Sequence, residues 1–85
     1  MGLTILFGDR ARNSTTHEIA QRARAVVDSV LARHRLPAPE PQQPVWHSVA
    51  MLIELEQRDD YAGLLDAIRS ECAQRRVDVM GVRLA

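Results

Sequence analysis

The polar side chains best suited to contact a phosphate group are concentrated in residues 7–18, FGDRARNSTTHE. The hydroxyls of Ser14, Thr15 and Thr16 follow Gly8, which permits a tight turn. The segment comes after a short apolar run, LTILF, and before a helical pattern. Free amides at a helix start point towards an anion, and the helix dipole favours negative charge there. These residue types at this spacing therefore allow a phosphate-binding loop.

The pattern G-x-x-x-R-N-S-x-T, continued by x-x-I-A over residues 8–20, resembles the phosphate loop of flavodoxin-like, NADPH-dependent FMN reductases. In that family the loop joins the first strand to the first helix and begins Gly-Ser, whereas Asp9 takes the place of Ser here. The resemblance implies that flavin mononucleotide or another phosphate-containing ligand binds at residues 8–16. The matching positions are Gly8, Arg12, Asn13, Ser14 and Thr16.

The same loop also fits an ordinary surface connection that ends in a helix cap. Thr15 and Glu18 have the spacing of a capping box, in which the two side chains satisfy the first free amides of a helix. A carboxylate at Asp9 would repel a phosphate unless Arg10 or Arg12 neutralised it. We therefore favour the capped polar loop and keep ligand binding as the alternative.

The remaining reactive side chains predict neither a metal centre nor a catalytic set. No pair among His17, His34 and His47 has the i, i+4 spacing of a helical metal site. Cys72 is the only cysteine, so it supplies neither a zinc cluster nor an intrachain disulfide. It falls in an apolar stripe, where burial raises the pKa of a thiol. We expect no metal and no enzymatic activity.

Composition restricts the classes of partner. The chain has 85 residues, a formal net charge of zero and three aromatic residues, and every basic side chain except the histidines is arginine. Nucleic-acid binding usually requires a basic domain and often stacking aromatics, so we do not expect it. The apolar run at the N-terminus is too short for a signal peptide or a membrane span. We expect a cytoplasmic protein.

A proline-rich segment divides the single domain, 1–85, into two units. Residues 36–44, LPAPEPQQP, contain all four prolines and disfavour a helix. Before this linker, residues 1–35 predict a strand at 3–7 and a helix at about 16–35. After it, residues 45–85 predict a strand, a helix of about sixteen residues capped by Asp59 or Asp60, and a strand at 77–84.

Residues 45–56, VWHSVAMLIELE, fit two structures. Their alternation of side chains predicts a strand, whereas Ala, Met, Leu and Glu favour a helix that Pro44 could open. We favour the strand. The following helix then has an apolar stripe that includes Tyr61 and Cys72.

The order βαβαβ predicts a small two-layer α/β (α+β) sandwich with two helices on one face of a three-stranded sheet. This layout resembles the ferredoxin-like plan of ACT domains and nitrogen-regulatory signalling proteins, with an inner strand of that plan missing. The resemblance is one of architecture. Two helices on one side leave the second face of the sheet bare, and a bare apolar face in a small domain favours association.

The sequence therefore predicts a non-enzymatic interaction or regulatory module that works as a homo-oligomer or on a partner protein. Its interface would contain residues of the bare face, namely Trp46, Ala50, Leu52 and Val79. One alternative is the phosphate- or FMN-binding loop. A second alternative, suggested by the small size and the uneven distribution of charge, is a phage- or plasmid-type inhibitor of a host complex.

Overall fold

Six elements follow one another along the chain in a computed structural model that describes residues 2–37, 43–45, 48–56 and 60–84. They are β1 (Gly2–Gly8), α1 (Thr16–Arg33), β2 (Gln43–Val45), β3 (Ser48–Glu54), α2 (Tyr61–Arg75) and β4 (Asp78–Leu84). The strands form one antiparallel sheet in the order β2-β3-β1-β4. Helix α1 packs on β1 and β3, while α2 packs on α1 and β4. The predicted small two-layer α+β fold is confirmed.

The short strand β2 adds a fourth strand to the predicted three. With it the element order becomes βαββαβ, which is the ferredoxin-like order. β2 pairs only with β3, so it forms one edge of the described sheet. Pro44 is compatible with this position because an edge strand does not need every backbone N–H for its ladder. Residues 38–42 of the predicted linker lie outside the described residues.

Residues 48–54 form the predicted strand rather than a helix. In β3 the side chains of Val49, Met51 and Ile53 are buried and those of Ala50 and Leu52 are half-buried, as alternation predicted. The predicted strand began at residue 45, whereas the structure starts a new strand at Ser48 and pairs Val45 of β2 with it. Trp46 and His47 lie outside the described residues.

The core lies between one face of the sheet and the helices. Alternate residues of β1 supply Leu3, Ile5 and Phe7, each 0% exposed, and β3 supplies the three buried residues just named. The main helical contributions are Ile19, Ala23, Val26, Val27, Val30 and Leu31 from α1, and Leu64, Ile68 and Cys72 from α2. Because every helix residue in this set falls on an i, i+3 or i, i+4 stripe, the amphipathic pattern is enough to place both helices on the sheet.

Caps fix where both helices start. The predicted box is present in α1: the Glu18 N–H donates to Thr15 Oγ1 at 3.1 Å, and the Thr15 N–H donates to Glu18 Oε1 at 3.2 Å. The Gly63 N–H donates to Asp60 Oδ1 at 3.0 Å, so Asp60 is the cap of α2, and Asp59 lies outside the described residues. Tyr61 was predicted to be buried, but it is 43% exposed because the apolar stripe reaches solvent at the first turn of the helix.

A bulge in β4 changes which side chains face the helices. Phe7 pairs with Val79 and Leu6 pairs with Gly81, which leaves Met80 as an extra residue. Simple alternation placed Val79 on the bare face, whereas the register places it opposite Phe7, and it packs against the core. Residues beyond the bulge are also shifted: Val82 and Leu84 lie opposite Ile5 and Leu3.

Candidate functional site

Asp9 organises the loop that joins β1 to α1. Its Oδ1 accepts the Ala11 N–H at 3.0 Å and its Oδ2 accepts the Asn13 N–H at 3.0 Å. A turn is closed by the Arg12 N–H, which donates to the Asp9 carbonyl oxygen at 3.0 Å, and Arg12 has a positive φ of 55°. Hydrogen bonds from the Ser14 hydroxyl, above all, and from the loop amides hold the pKa of Asp9 below its ordinary value.

Arg22 links this loop to the first helix. Its Nη1 donates to Ser14 Oγ at 2.7 Å, and its Nη2 lies 3.4 Å from Glu18 Oε2. The pKa of Glu18 is lowered as well, first by the Thr15 N–H and hydroxyl of the capping box and to a smaller extent by Arg22. The polar groups of the loop are thus engaged with one another across the start of α1.

This geometry bears directly on the phosphate hypothesis. In a phosphate loop the backbone amides point at the ligand. Here the amides of Ala11 and Asn13 donate to a carboxylate of the chain itself, the side chain of Asp9. Asp9 is therefore the residue that organises the loop.

The five predicted phosphate-binding residues are neighbours along the chain, and three of them, Arg12, Ser14 and Thr16, line the same depression. Asn13 and Ser14 line a cleft of about 410 Å³, together with the charged side chains of Asp9, Arg22, Arg76 and Asp78. Arg12, Ser14 and Thr16 line a second depression of about 380 Å³, together with Asp9, Thr15 and Ile19.

Gly8 belongs to the sheet rather than to a turn, and its φ is not positive. A Cβ at this position would approach Met80 Cγ at 2.8 Å and Ser48 Oγ at 3.3 Å. The reason for glycine here is therefore the close packing of the neighbouring strands on the outer side of the sheet.

Cys72 behaves as a core residue. Its side chain is buried, and burial first, with smaller contributions from Asp78 and Glu71, raises the pKa of the thiol to about 11. It is therefore protonated at neutral pH and a poor nucleophile. His17 and His34 are both exposed. Within the described part of the chain, no group of three His, Cys, Asp or Glu residues is arranged to hold a metal ion.

The second candidate surface is the outer side of the sheet, which faces away from both helices. We call this surface the open face; its described members include Thr4, Leu6, Ser48, Ala50, Leu52 and Met80. Leu6, Ala50 and Leu52 are half-buried by their neighbours in the sheet, and Met80 is 43% exposed. A Cβ at Gly2 would meet Leu52 Cδ1 at 2.9 Å, so this leucine lies across the end of β1.

Two of the predicted interface residues, Ala50 and Leu52, lie on the open face as expected. Val79 lies on the helix side because of the bulge, and Trp46 lies outside the described residues. The prediction did not name Leu6 and Met80. Alternation in β1 could have revealed Leu6, since it falls between the core residues Ile5 and Phe7, but no sequence signal marked the bulge that exposes Met80.

Comparisons with known proteins give no relative: no family model, no curated protein and no solved structure matches the chain. In the described residues, no helix has the length and apolar character needed to cross a membrane.

Proposed function

We propose that this chain is a small non-enzymatic interaction module that binds another protein surface, either a second copy or a partner protein, through the open face. The observation that carries this proposal is the one-sided coverage of the sheet: both described helices pack on the same face. Apolar surface left outside the core of a small domain favours association because burying it releases water.

The composition of the open face supports this role. Leu6, Ala50 and Leu52 form a compact apolar centre on two adjacent strands, since Leu6 pairs directly with Ala50. Thr4 adds a polar group directly opposite Leu52, and Ser48 adds another next to Ala50 along that face of β3. An apolar centre with a polar periphery is the usual anatomy of a protein–protein interface.

The organisation of the loop supports a binding module rather than an enzyme. Asp9, Ser14, Arg22 and Glu18 form a chain of hydrogen bonds whose evident effect is to fix the loop and the helix start. The thiol of Cys72 is buried and protonated. The hydrogen bonds of the loop and the burial of the thiol stabilise the fold. A catalytic role for these side chains would require those contacts to be broken.

The test is a charge placed on the open face, Leu52→Glu, with Ser70→Glu on the exposed surface of α2 as the matched control. Sedimentation velocity over a range of concentrations would report self-association, and thermal unfolding would show that each variant is folded. We expect Leu52→Glu to weaken association, with itself or with a partner co-purified with the unmutated chain, and Ser70→Glu to leave it unchanged. Equal association of both folded variants would refute a role for the open face.

A further inference from the structure

The two edges of the sheet are not equivalent. β2 is three residues long and contains Pro44, both of which discourage pairing with another strand. β4 is seven residues long, and β1 is its only neighbour in the described sheet. Of the four large apolar side chains recorded as exposed among the described residues, three belong to β4: Met80, Val82 and Leu84, at 39–43% exposure.

The bulge gives β4 an unusual pattern of faces. Val79 and Val82 lie opposite core residues of β1, so they are on the helix side. Met80 and Gly81 are both on the open face, where Met80 approaches Gly8 and Gly81 pairs with Leu6. The alternation of sides is therefore interrupted once, between residues 80 and 81.

Because of this interruption, a strand with regular alternation of side chains is a poor partner for β4. Residues directly opposite each other in an antiparallel pair point to the same side of the sheet. A regular strand can match the sides of β4 before the interruption or after it, but not both. A strand whose own side chains show the same interruption at the matching point can agree with β4 along its whole length. A second copy of β4 that runs antiparallel meets this requirement.

We propose that β4 pairs antiparallel with β4 of a second copy of this chain, with the two-fold axis between residues 80 and 81. In this register Met80 is opposite the partner's Gly81 on the open face, and Val79 is opposite the partner's Val82 on the helix side. Asp78 is opposite the partner's Arg83, and symmetry repeats each contact.

Charge complementarity supports this choice of partner. Asp78 and Arg83 are equidistant from the proposed axis, and their register partners in β1 are Gly8 and Thr4. Arg83 is exposed, and it pairs with no carboxylate of the described residues. Asp78 is half-buried, and its Oδ2 accepts the Arg10 N–H at 2.8 Å, which holds the carboxylate at the start of β4.

The pairing would place the helices of both copies on one side of a continuous eight-stranded sheet. Because the two-fold axis is perpendicular to the sheet, the two open faces would lie side by side and form one larger surface. The inference thus rests on the proposed function in naming a second copy as partner, but it uses the β4 edge, which can be tested separately from the open face.

The decisive experiment mixes two charge-reversed full-length chains, Asp78→Arg and Arg83→Asp. Each alone would place like charges opposite each other twice, so we expect each homodimer to be weakened by about tenfold. In the mixture both contacts become opposite-charge pairs again. Native mass spectrometry separates the species because the two chains differ in mass, and we expect the heterodimer to exceed its statistical share.

A second variant keeps the test valid if Asp78→Arg fails to fold, since that change removes the acceptor of the Arg10 N–H. Asp78→Asn retains a carbonyl oxygen at that position and removes the charge. Introduced into Arg83→Asp, it would relieve the Asp–Asp repulsion, so we expect the double variant to dimerise more strongly than Arg83→Asp alone. An equal or weaker dimer would overturn the proposed pairing.

The outcomes separate the two surfaces. A dimer that responds to Leu52→Glu and is indifferent to the charge reversals would overturn the β4 pairing and leave the open face as the interface. A dimer that responds to the reversals and not to Leu52→Glu would support the β4 pairing. An unmutated chain that stays monomeric at the highest soluble concentration would overturn the β4 pairing.

Discussion

The two faces of the sheet are built from the same strands but have different relations to solvent. On the helix side, Ile5 and Met51 are opposite each other and completely buried. One residue further along each strand, Leu52 and Leu6 are only half-buried. The difference lies in what covers them: helices α1 and α2 cover one face, and no described element covers the other.

This contrast shows how a short chain divides its apolar residues between folding and association. The helix-side residues of β1 and β3 remove their whole side chain from water when the monomer folds. Each large residue of this kind stabilises the fold by about 1.5–3 kcal/mol. Residues of the open face complete this transfer only when a second surface arrives. The same residue type therefore contributes to stability at one position and to binding at the next.

The largest expected effect comes from a matched pair of truncations in β1. Ile5→Ala should lower the free energy of unfolding by about 3 kcal/mol, because it removes a fully buried side chain and leaves a cavity. Leu6→Ala, at the neighbouring half-buried position, should lower it by about 1 kcal/mol or less. Urea denaturation of dilute protein measures both.

Equal losses of unfolding free energy in the two variants would contradict this difference between the two faces. Equal losses in dilute protein would mean that Leu6 is covered within the monomer. If the loss of unfolding free energy in Leu6→Ala instead grows with protein concentration, the open face is buried by association.

Periodicity made most of the helix-side face predictable. The stripe of α1 at Ile19, Ala23 and Val30, the alternation of β3 and the capping box were all evident from local spacing. Such features depend on residues within one turn or one strand, and the side-chain period alone decides which face is buried.

The features that were not predicted depend on pairing between distant segments. Nothing local to β4 indicates that Met80 is an extra residue relative to β1, because a bulge exists only with respect to a partner strand. The role of Asp9 was equally hidden. Its position in the sequence suggested repulsion of a ligand, whereas the folded loop directs two amides of the chain to its carboxylate.

A smaller loss of stability is expected from a change at the N-terminal cap of α1, the helix that covers β1 and β3. Thr15→Ala should lower the free energy of unfolding by about 1 kcal/mol, because the Glu18 N–H loses its acceptor. The neighbouring Thr16→Ala is the matched control, and it should have little effect because alanine is favourable within a helix. Equal losses in thermal unfolding would contradict the assignment of Thr15 as the cap.

The smallest expected effect concerns Asp9, in the loop that carries the chain from the sheet to the helix layer. Because its pKa is lowered in the folded state, its carboxylate stabilises the fold fully above the ordinary value, about 4, and this contribution is lost as the pH falls through the lowered value. Asp9→Asn should therefore be less stable than the unmutated chain at pH 7, with the gap narrowing in acid. Asn13→Ala leaves the carboxylate and the backbone amide of residue 13 in place. Its difference in unfolding free energy from the unmutated chain should therefore not change with pH. A pH-independent gap for Asp9→Asn, measured by urea denaturation across this range, would show that the loop does not depend on the charge of Asp9.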